Sequence, residues 1–431
     1  MKNKAASSFL KIGLSLILVI CGSVYVYMRC VADESGAPDK ELYEQVELFA
    51  DAITIVQSDF VEEIEPKKLV YGALEGLLSS LDGYSHFMDP DDFKEMEIDT
   101  KGEFGGLGIE IGIRDSILTV IAPIDGTPAE KAGLKAGDRI VKIEGKLTRG
   151  LNLTDAVKKL RGKPNTKVTI TVLREGEEKL LDFTIVRSII KLKSIKTVRI
   201  IDKTIGYIKL IEFQERTGRE LAKKISGLKK DGMEALILDL RNNPGGLLDA
   251  SYAVSDNFLP EGKVVVSLKG RVPAQNKVYI STGKQSFTDF PMVVLVNKGS
   301  ASASEIVAGA IQENQRGIIL GTKTFGKGSV QTIIPLKDGS AVRLTTAAYY
   351  TPKGRSISNT GITPDVEVKL RQEKKVIEKT GDVFDKIESK EEEKEKKKEV
   401  TKEEIIYDNQ MQAAIDMLRG ILFYKQGKEQ I

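Results

Sequence analysis

The chain has a single histidine, His86, and a serine-dense turn, Asn297-Lys298-Gly299-Ser300-Ala301-Ser302-Ala303-Ser304-Glu305, followed by a glycine-flanked lysine, Lys327. A serine hydroxyl is a poor nucleophile without a neighbouring base, and where histidine is this scarce a lysine is the base a serine hydrolase would use. A serine at a helix start also sits among unpaired N–H groups that can hold a developing oxyanion. Serine is equally an ordinary helix cap, and taken alone one such serine reads as a cap.

Lys327 lies in Gly321-Thr322-Lys323-Thr324-Phe325-Gly326-Lys327-Gly328-Ser329-Val330-Gln331, where the even spacing lets Gln331 share its strand face. To act as a base, a lysine must fall by roughly three units from about 10.4, through burial or nearby cations. A further segment, Leu238-Asp239-Leu240-Arg241-Asn242-Asn243-Pro244-Gly245-Gly246, ends a strand in a bare glycine turn that leads into a helix and offers N–H groups to an anion. Spacing alone leaves open which of Ser300, Ser302 and Ser304 attacks, and whether Lys323 or Lys327 is the base.

These segments must be positioned by the elements around them. Residues 200–368 alternate strands such as 205–209, 235–240 and 292–296 with helices near 219–228, 247–258 and 302–315, the pattern of an α/β core. Between Gly102 and Arg187 the pattern is short β runs, 107–113, 118–122, 139–143, 167–173 and 180–186, interrupted by helical patches at 128–132 and 154–160, the second capped by Thr154. From Asp39 to Asp99 the pattern is helical, with Leu42, Val46, Phe49, Ile53, Val56 and Phe60 on one face, a stripe suited to packing against the body or a second copy. His86 falls in a turn-rich segment after it and reads as structural.

In Gly102-Glu103-Phe104-Gly105-Gly106-Leu107-Gly108-Ile109-Glu110-Ile111, glycines precede a strand. Successive N–H groups can there turn inward to hold a carboxylate while the strand pairs with an extended peptide. The following Thr127-Pro128-Ala129-Glu130-Lys131-Ala132-Gly133-Leu134-Lys135-Ala136-Gly137-Asp138-Arg139-Ile140-Val141-Lys142-Ile143 resembles the helix, turn and strand of bacterial PDZ modules. That resemblance implies recognition of a free C-terminus through Phe104, Gly105, Gly106, Leu107, Gly108 and Ile109. Arg161, at the end of the second helical patch, reads as a surface arginine, with coupling of peptide binding to the core as the alternative.

Composition removes several classes. The chain's 65 basic and 62 acidic residues give a net charge of +3 over 431 residues, which leaves no basic excess for nucleic acid. With two cysteines, Cys21 and Cys30, and no paired metal motif, neither a metal nor any other cofactor is expected. The stretch Ile12 to Met28 follows Lys2, Lys4 and Lys11. This is a basic flank and then about 17 apolar or small residues, so the protein is expected to be exported, with the remainder on the periplasmic or extracytoplasmic face of the inner membrane. A persisting anchor and a cleaved signal both fit this stretch. Near the other end, the Glu/Lys-dense tract 388–404 reads as a solvated helix or linker, and the amphipathic piece 405–422 is expected to dock on the body.

The succession of PDZ-like module, Arg-Asn-Asn-Pro-Gly-Gly, Gly-Ser-Ala-Ser-Ala-Ser-Glu and Thr-Phe-Gly-Lys-Gly-Ser-Val-Gln resembles the carboxyl-terminal processing peptidases, or tail-specific proteases, over about 41–368 and again over 407–420. The resemblance implies a multidomain α+β protein whose core is an α/β, crotonase-like protease domain. It implies a Ser302/Lys327 dyad supported by Gln331, an oxyanion hole from the amides of Ala303 and the Gly245-Gly246 turn, protein substrates with apolar free C-termini, self-association and a possible adaptor. The domains are then 1–35, signal or anchor; 36–101, helical; 102–190, PDZ-like; 191–370, protease core; 371–404, charged linker; and 405–431, C-terminal helix. A non-catalytic PDZ scaffold predicts tail binding without turnover, and a crotonase-type acyl transferase predicts reaction with a thioester.

Overall fold

The computed structural model describes residues 40–371, 374–376, 404–406 and 408–429, in two compact units that divide after Leu81. The first unit holds helices α1 (Lys40–Asp59) and α2 (Pro66–Ser79). Pro66 opens α2 at the position where its fixed φ fits and its missing N–H leaves nothing unpaired. The apolar face of α1 is open: Leu42, Val46, Phe49 and Val56 are all exposed.

The second unit begins with β1 (His86–Met88) and α3 (Pro90–Lys101), whose N-cap Asp89 accepts the N–H groups of Asp91 and Asp92. A β-rich module follows, with β2 (Glu103–Gly106), β3 (Ile109–Arg114), β4 (Ile117–Pro123), α4 (Pro128–Lys131), β5 (Arg139–Ile143), β6 (Lys146–Leu147), α5 (Leu153–Leu160), β7 (Lys167–Leu173), β8 (Leu181–Val186) and β9 (Ser188–Lys191). Its main antiparallel sheet runs β3-β4-β5-β7-β8, so β3 is an edge strand, and β2 pairs separately with β9. Alternate apolar residues such as Val168, Ile170 and Val172 close its core against Ala156 and Leu160 of α5. The cap of α5 is Asn152, not Thr154. The Asn152 amide oxygen accepts the Asp155 N–H at 2.8 Å, three residues on, which starts the helix one residue earlier.

The remaining elements are β10 (Ile195–Ile201), β11 (Ile205–Leu210), α6 (Thr217–Lys230), β12 (Ala235–Asp239), α7 (Leu248–Asp256), β13 (Val264–Gly270), β14 (Lys277–Ile280), β15 (Met292–Val296) and α8 (Ala303–Glu313). After these come β16 (Ile318–Gly321), β17 (Ser329–Pro335), β18 (Ala341–Tyr350), β19 (Val366–Glu367), β20 (Lys374–Val376), β21 (Glu404–Ile406) and α9 (Asn409–Glu429). The sheet β10-β11-β12-β15-β16-β19 is parallel apart from β10. Its strands are apolar on both faces, so both must be covered. Leu236 and Leu238 of β12 pack with α6, α7 and α8, whereas Ala235 and Ile237 face Ala414 and Leu418 of α9. A second sheet joins β1, β18, β13 and β14, with β17 along the length of β18.

The C-terminal piece docks as its apolar pattern requires, although its helix runs from 409 to 429 rather than from 405 to 422, and 404–406 is a strand paired with 374–376. The stretch 12–28 and residues 388–403 of the charged tract lie outside the described residues. Among the described residues no helix is long and apolar enough to cross a membrane.

Candidate active site

Strand β15 ends in the serine-dense turn, and the three serines separate by what their hydroxyls do. Ser300 Oγ donates to the Leu240 carbonyl at 2.8 Å, Ser304 Oγ donates to the Asn243 carbonyl at 2.9 Å, and both residues are fully buried. Ser302 stands at the N-cap of α8 without using its side chain as a cap, and it lines a cleft of about 450 Å³. Its backbone lies at φ 53°, ψ −112°, a left-handed region that a residue with a Cβ occupies only under constraint, at about 1–3 kcal/mol. The constraint is visible: its N–H donates to Glu305 Oε2 at 2.9 Å, and its carbonyl accepts from Glu305 and Ile306.

The loop between β16 and β17 brings Lys327 into the same cleft, while Lys323 is exposed and outside it. Lys327 is half-buried, and burial together with the Arg343 guanidinium pushes its ammonium below the usual lysine range, against an opposing pull from Asp82. Its Nζ lies 4.7 Å from the centroid of the Tyr84 ring, a contact that favours the cation. Gln331 also lines the cleft, but its amide donates to Ser329 Oγ at 2.9 Å and Thr345 Oγ1 at 3.3 Å. These bonds use its NH2, and no hydrogen bond joins Gln331 to Lys327 among the described residues.

Of the amides expected to form an oxyanion hole, those of Ala303 and Gly246 have no hydrogen bond among the described residues, and both residues line the cleft. The Gly245 N–H instead donates to Asn243 Oδ1 at 2.9 Å, which corrects its expected role: Gly245 supplies close approach rather than a donor. A Cβ at Gly245 would lie 2.9 Å from the Cβ of Ser302. Asn243 further joins the glycine turn to the serine turn, its carbonyl accepting the Ala301 N–H and the Ser304 hydroxyl.

Several residues at or beneath the cleft are given no role by the sequence alone. Glu305 is fully buried and accepts Thr324 Oγ1 at 2.6 Å and the N–H groups of Gly326 and Lys327 at 2.7 and 2.9 Å, besides that of Ser302. The Ser-x-x-Glu spacing at 302–305 is the signal that marks it. The Tyr349 hydroxyl is buried beside Ser302 and Glu305, where burial first and the Glu305 charge second hold its phenol well above the usual range, with the Ser302 side chain opposing them. Asp99 and Glu212 also line the cleft, and burial pushes both carboxyls up, with Glu95 adding to the effect at Asp99 and Asp99 at Glu212. His86 is exposed, with Nδ1 3.2 Å from the Tyr84 carbonyl, and lies outside the cleft lining.

In the β-rich module, the N–H groups of Leu107 and Gly108 carry no hydrogen bond among the described residues, and the strand that Ile109 begins has one unpaired edge. Phe104, Gly105 and Gly106 form β2 just before them. A Cβ at Gly105 would meet the Gly162 carbonyl oxygen at 2.1 Å, so the loop closes on the end of α5 only with glycine there. Arg161 is not a free surface side chain. Its guanidinium lies 4.4 Å from the Phe104 ring centroid and pairs with Glu95 of α3, the helix that also brings Met96, Asp99 and Thr100 to the cleft.

Residues 204–368 match peptidase family S41, residues 119–174 match a PDZ domain, and residues 18–92 match the N-terminal domain of the activating protease CtpB. The chain is 47% identical over 336 residues to a carboxy-terminal-processing protease of Bartonella bacilliformis, covering 77% of this chain and 76% of that one. It is 38% identical over 316 residues to carboxy-terminal processing protease CtpA of Bacillus subtilis, covering 73% and 67% of the two chains. Among solved structures, a photosystem II D1 C-terminal processing protease matches at 30% identity over 75% of this chain and 92% of that one, with a TM-score of 0.43.

Proposed function

Because the chain belongs to the carboxy-terminal processing proteases of peptidase family S41, we propose that it is an exported endopeptidase that captures the C-terminal tail of a protein on its PDZ domain and cleaves the chain by a Ser302/Lys327 dyad. The observation that carries the mechanism is the state of Ser302: a backbone held at positive φ, a hydroxyl not spent on capping, and two open N–H groups, of Gly246 and Ala303, in the same cleft as a half-buried lysine.

In this mechanism Ser302 Oγ attacks the peptide carbonyl carbon as neutral Lys327 Nζ takes its proton, and the carbonyl oxygen gathers charge against the Gly246 and Ala303 amides. Collapse of the tetrahedral adduct breaks the C–N bond, with the lysine returning the proton to the leaving amine. Water then attacks the acyl-enzyme, giving a proton to Lys327, and collapse of the second adduct breaks the ester bond as Ser302 Oγ takes that proton back and the carboxylic acid leaves. Gln331 would orient the lysine through its amide oxygen, accepting from Nζ–H while its NH2 keeps Ser329 and Thr345.

The open amides of Leu107 and Gly108 suit a terminal carboxylate, and the free edge of β3 suits the preceding residues as an added strand, with apolar side chains preferred. The basic flank and apolar stretch at 12–28 support export to the periplasmic or extracytoplasmic face of the inner membrane. The exposed apolar face of α1 supports self-association, and an adaptor protein belongs to the same reading. The test is cleavage of an unfolded reporter with an apolar C-terminus by the full chain, by Ser302→Ala and by Lys327→Ala. Turnover lost in both variants with tail binding retained supports the dyad, whereas turnover that survives Ser302→Ala removes it.

A further inference from the structure

Arg241, the first residue of the Arg-Asn-Asn-Pro-Gly-Gly segment, is gripped from a place remote in sequence. Its guanidinium donates to both oxygens of Asp408, at 2.8 and 2.7 Å, to Gln410 Oε1 at 3.0 Å, and to both oxygens of Asp239, at 3.0 and 2.8 Å. Asp408 also caps α9, accepting the Met411 N–H at 3.0 Å, and the Gln410 amide donates to the Val368 carbonyl at 2.7 Å. Around the same point Lys209 Nζ lies 3.1 Å from Asp239 and donates to the Arg241 carbonyl at 2.7 Å. Two cations, Lys209 and Arg241, thus face two carboxylates, Asp239 and Asp408, and Asp239 is only 1% exposed. Each arm is matched, and a buried charge that loses its partner is strongly unfavourable.

What Arg241 holds in turn is the candidate oxyanion turn. Asn242 follows at φ 58°, tied to Asn297 of the serine turn, and Asn243 reaches the Leu210 carbonyl with its side chain while ordering Gly245. The open Gly246 N–H comes next. We propose that Asp408, at the start of the C-terminal helix, is a positioning residue for the oxyanion site: through the bidentate pair with Arg241 it fixes the turn that presents the Gly246 amide. The inference rests on the serine-peptidase reading of the cleft. Without the Asp408 charge, Lys209 and Arg241 share one buried carboxylate, and Arg241 relieves the excess by moving, carrying the backbone of the turn with it. Docking of α9 does not itself need this charge, since Ala414 and Leu418 are fully buried against the sheet.

The test uses the full chain, with Asp408→Asn to keep size and cap, Asp408→Glu to restore charge, and Leu418→Ala to loosen α9 by packing alone. Acylation by a fluorophosphonate, kcat and KM on a tail-bearing unfolded reporter, and affinity for a tail peptide are measured for each. Asp408→Asn is expected to lower kcat by about tenfold to a hundredfold, leaving KM and tail affinity unchanged. Asp408→Glu recovers part of the loss, Leu418→Ala lowers thermal stability with kcat retained, and Arg241→Lys with Asp408→Asn is less harmful than the product of the two. The proposal is overturned if Asp408→Asn keeps kcat within twofold, or if Leu418→Ala costs as much kcat as Asp408→Asn. A wild type with no Ser302-dependent acylation overturns the underlying peptidase reading instead, which the wild-type and Ser302→Ala arms report separately.

Discussion

The backbone N–H groups of Ser302 and Lys327 converge on one carboxylate oxygen, Glu305 Oε2, at 2.9 Å each. One buried side chain therefore sets the strained backbone of Ser302 and the Lys327 loop together, while its other oxygen takes Thr324 and Gly326. Every neighbour is a donor, so an amide in its place must turn its NH2 toward N–H groups and leave them unpaired, at about 1–3 kcal/mol for each buried group. Glu305→Gln is expected to slow fluorophosphonate acylation at Ser302 by roughly tenfold to a hundredfold without weakening tail binding. Thr324→Val, which removes one donor and leaves the carboxylate, should cost less. Acylation of Glu305→Gln at the wild-type rate would show that the carboxylate does not align the pair.

Much of this arrangement was legible beforehand, and the limit has a physical cause. Strands with two-fold alternation and helices with apolar stripes declare themselves locally, and so did the glycine turn before β12's helix and the helix start after β15. The resemblance singled out Ser302, but the physical reason that spacing could not supply is that the Leu240 and Asn243 carbonyls take the hydroxyls of Ser300 and Ser304, which depends on how β12 packs beside β15. Arg343 and Tyr349 enter the cleft through the register of the β17–β18 pair, which no local pattern encodes. Asp408 is further removed still, since only the docking of α9 onto the sheet brings it to Arg241.

The pH dependence of acylation should report the surroundings of Lys327. Burial first and Arg343 second favour its neutral form, Asp82 favours the cation, and the Tyr84 ring and the Glu305 carboxylate are the other polar neighbours. If Lys327 is the base, as proposed, it works deprotonated and activity rises with pH on the acid limb. Arg343→Met removes a positive neighbour and is expected to move that limb to higher pH, whereas Asp82→Asn moves it to lower pH. The folded pKa lies below the unfolded one, so the unfolded chain holds the proton more tightly and this group's contribution to stability grows as pH rises between the two values. Profiles of kcat/KM for the three proteins check the signs, and a limb that Arg343→Met leaves in place would remove Arg343 as a tuning group.

The strain at Ser302 predicts that activity and stability separate there. At φ 53° and ψ −112° glycine is comfortable and alanine is not, so Ser302→Gly and Ser302→Ala both abolish acylation but differ in stability. Relief of about 1–3 kcal/mol of backbone strain exceeds or offsets glycine's extra loss of chain entropy, roughly 0.5–1 kcal/mol. Ser302→Gly is therefore expected to be the more stable variant by about 1 kcal/mol, read by denaturant unfolding. Equal midpoints would mean that the turn is not strained in solution.

Arg161 joins the PDZ domain to the cleft by two contacts of different kinds, stacking on Phe104 of β2 and pairing with Glu95 of α3. If a tail binds the Phe104 to Ile109 loop as proposed, it meets the first contact, and any displacement of α3 would reach Met96, Asp99 and Thr100 in the cleft through the second. Lysine carries the charge but lacks the planar face that stacks and the fork that pairs, so Arg161→Lys should retain basal turnover while losing most of the rise that a tail peptide produces. Phe104→Leu, which removes only the stacking face, is expected to give the same phenotype, and Glu95→Gln should resemble Arg161→Lys in stimulation while binding the peptide normally. If stimulation by a tail peptide persists at the wild-type level in all three, the ion pair and the stack are structural ties and the signal reaches Ser302 by another route.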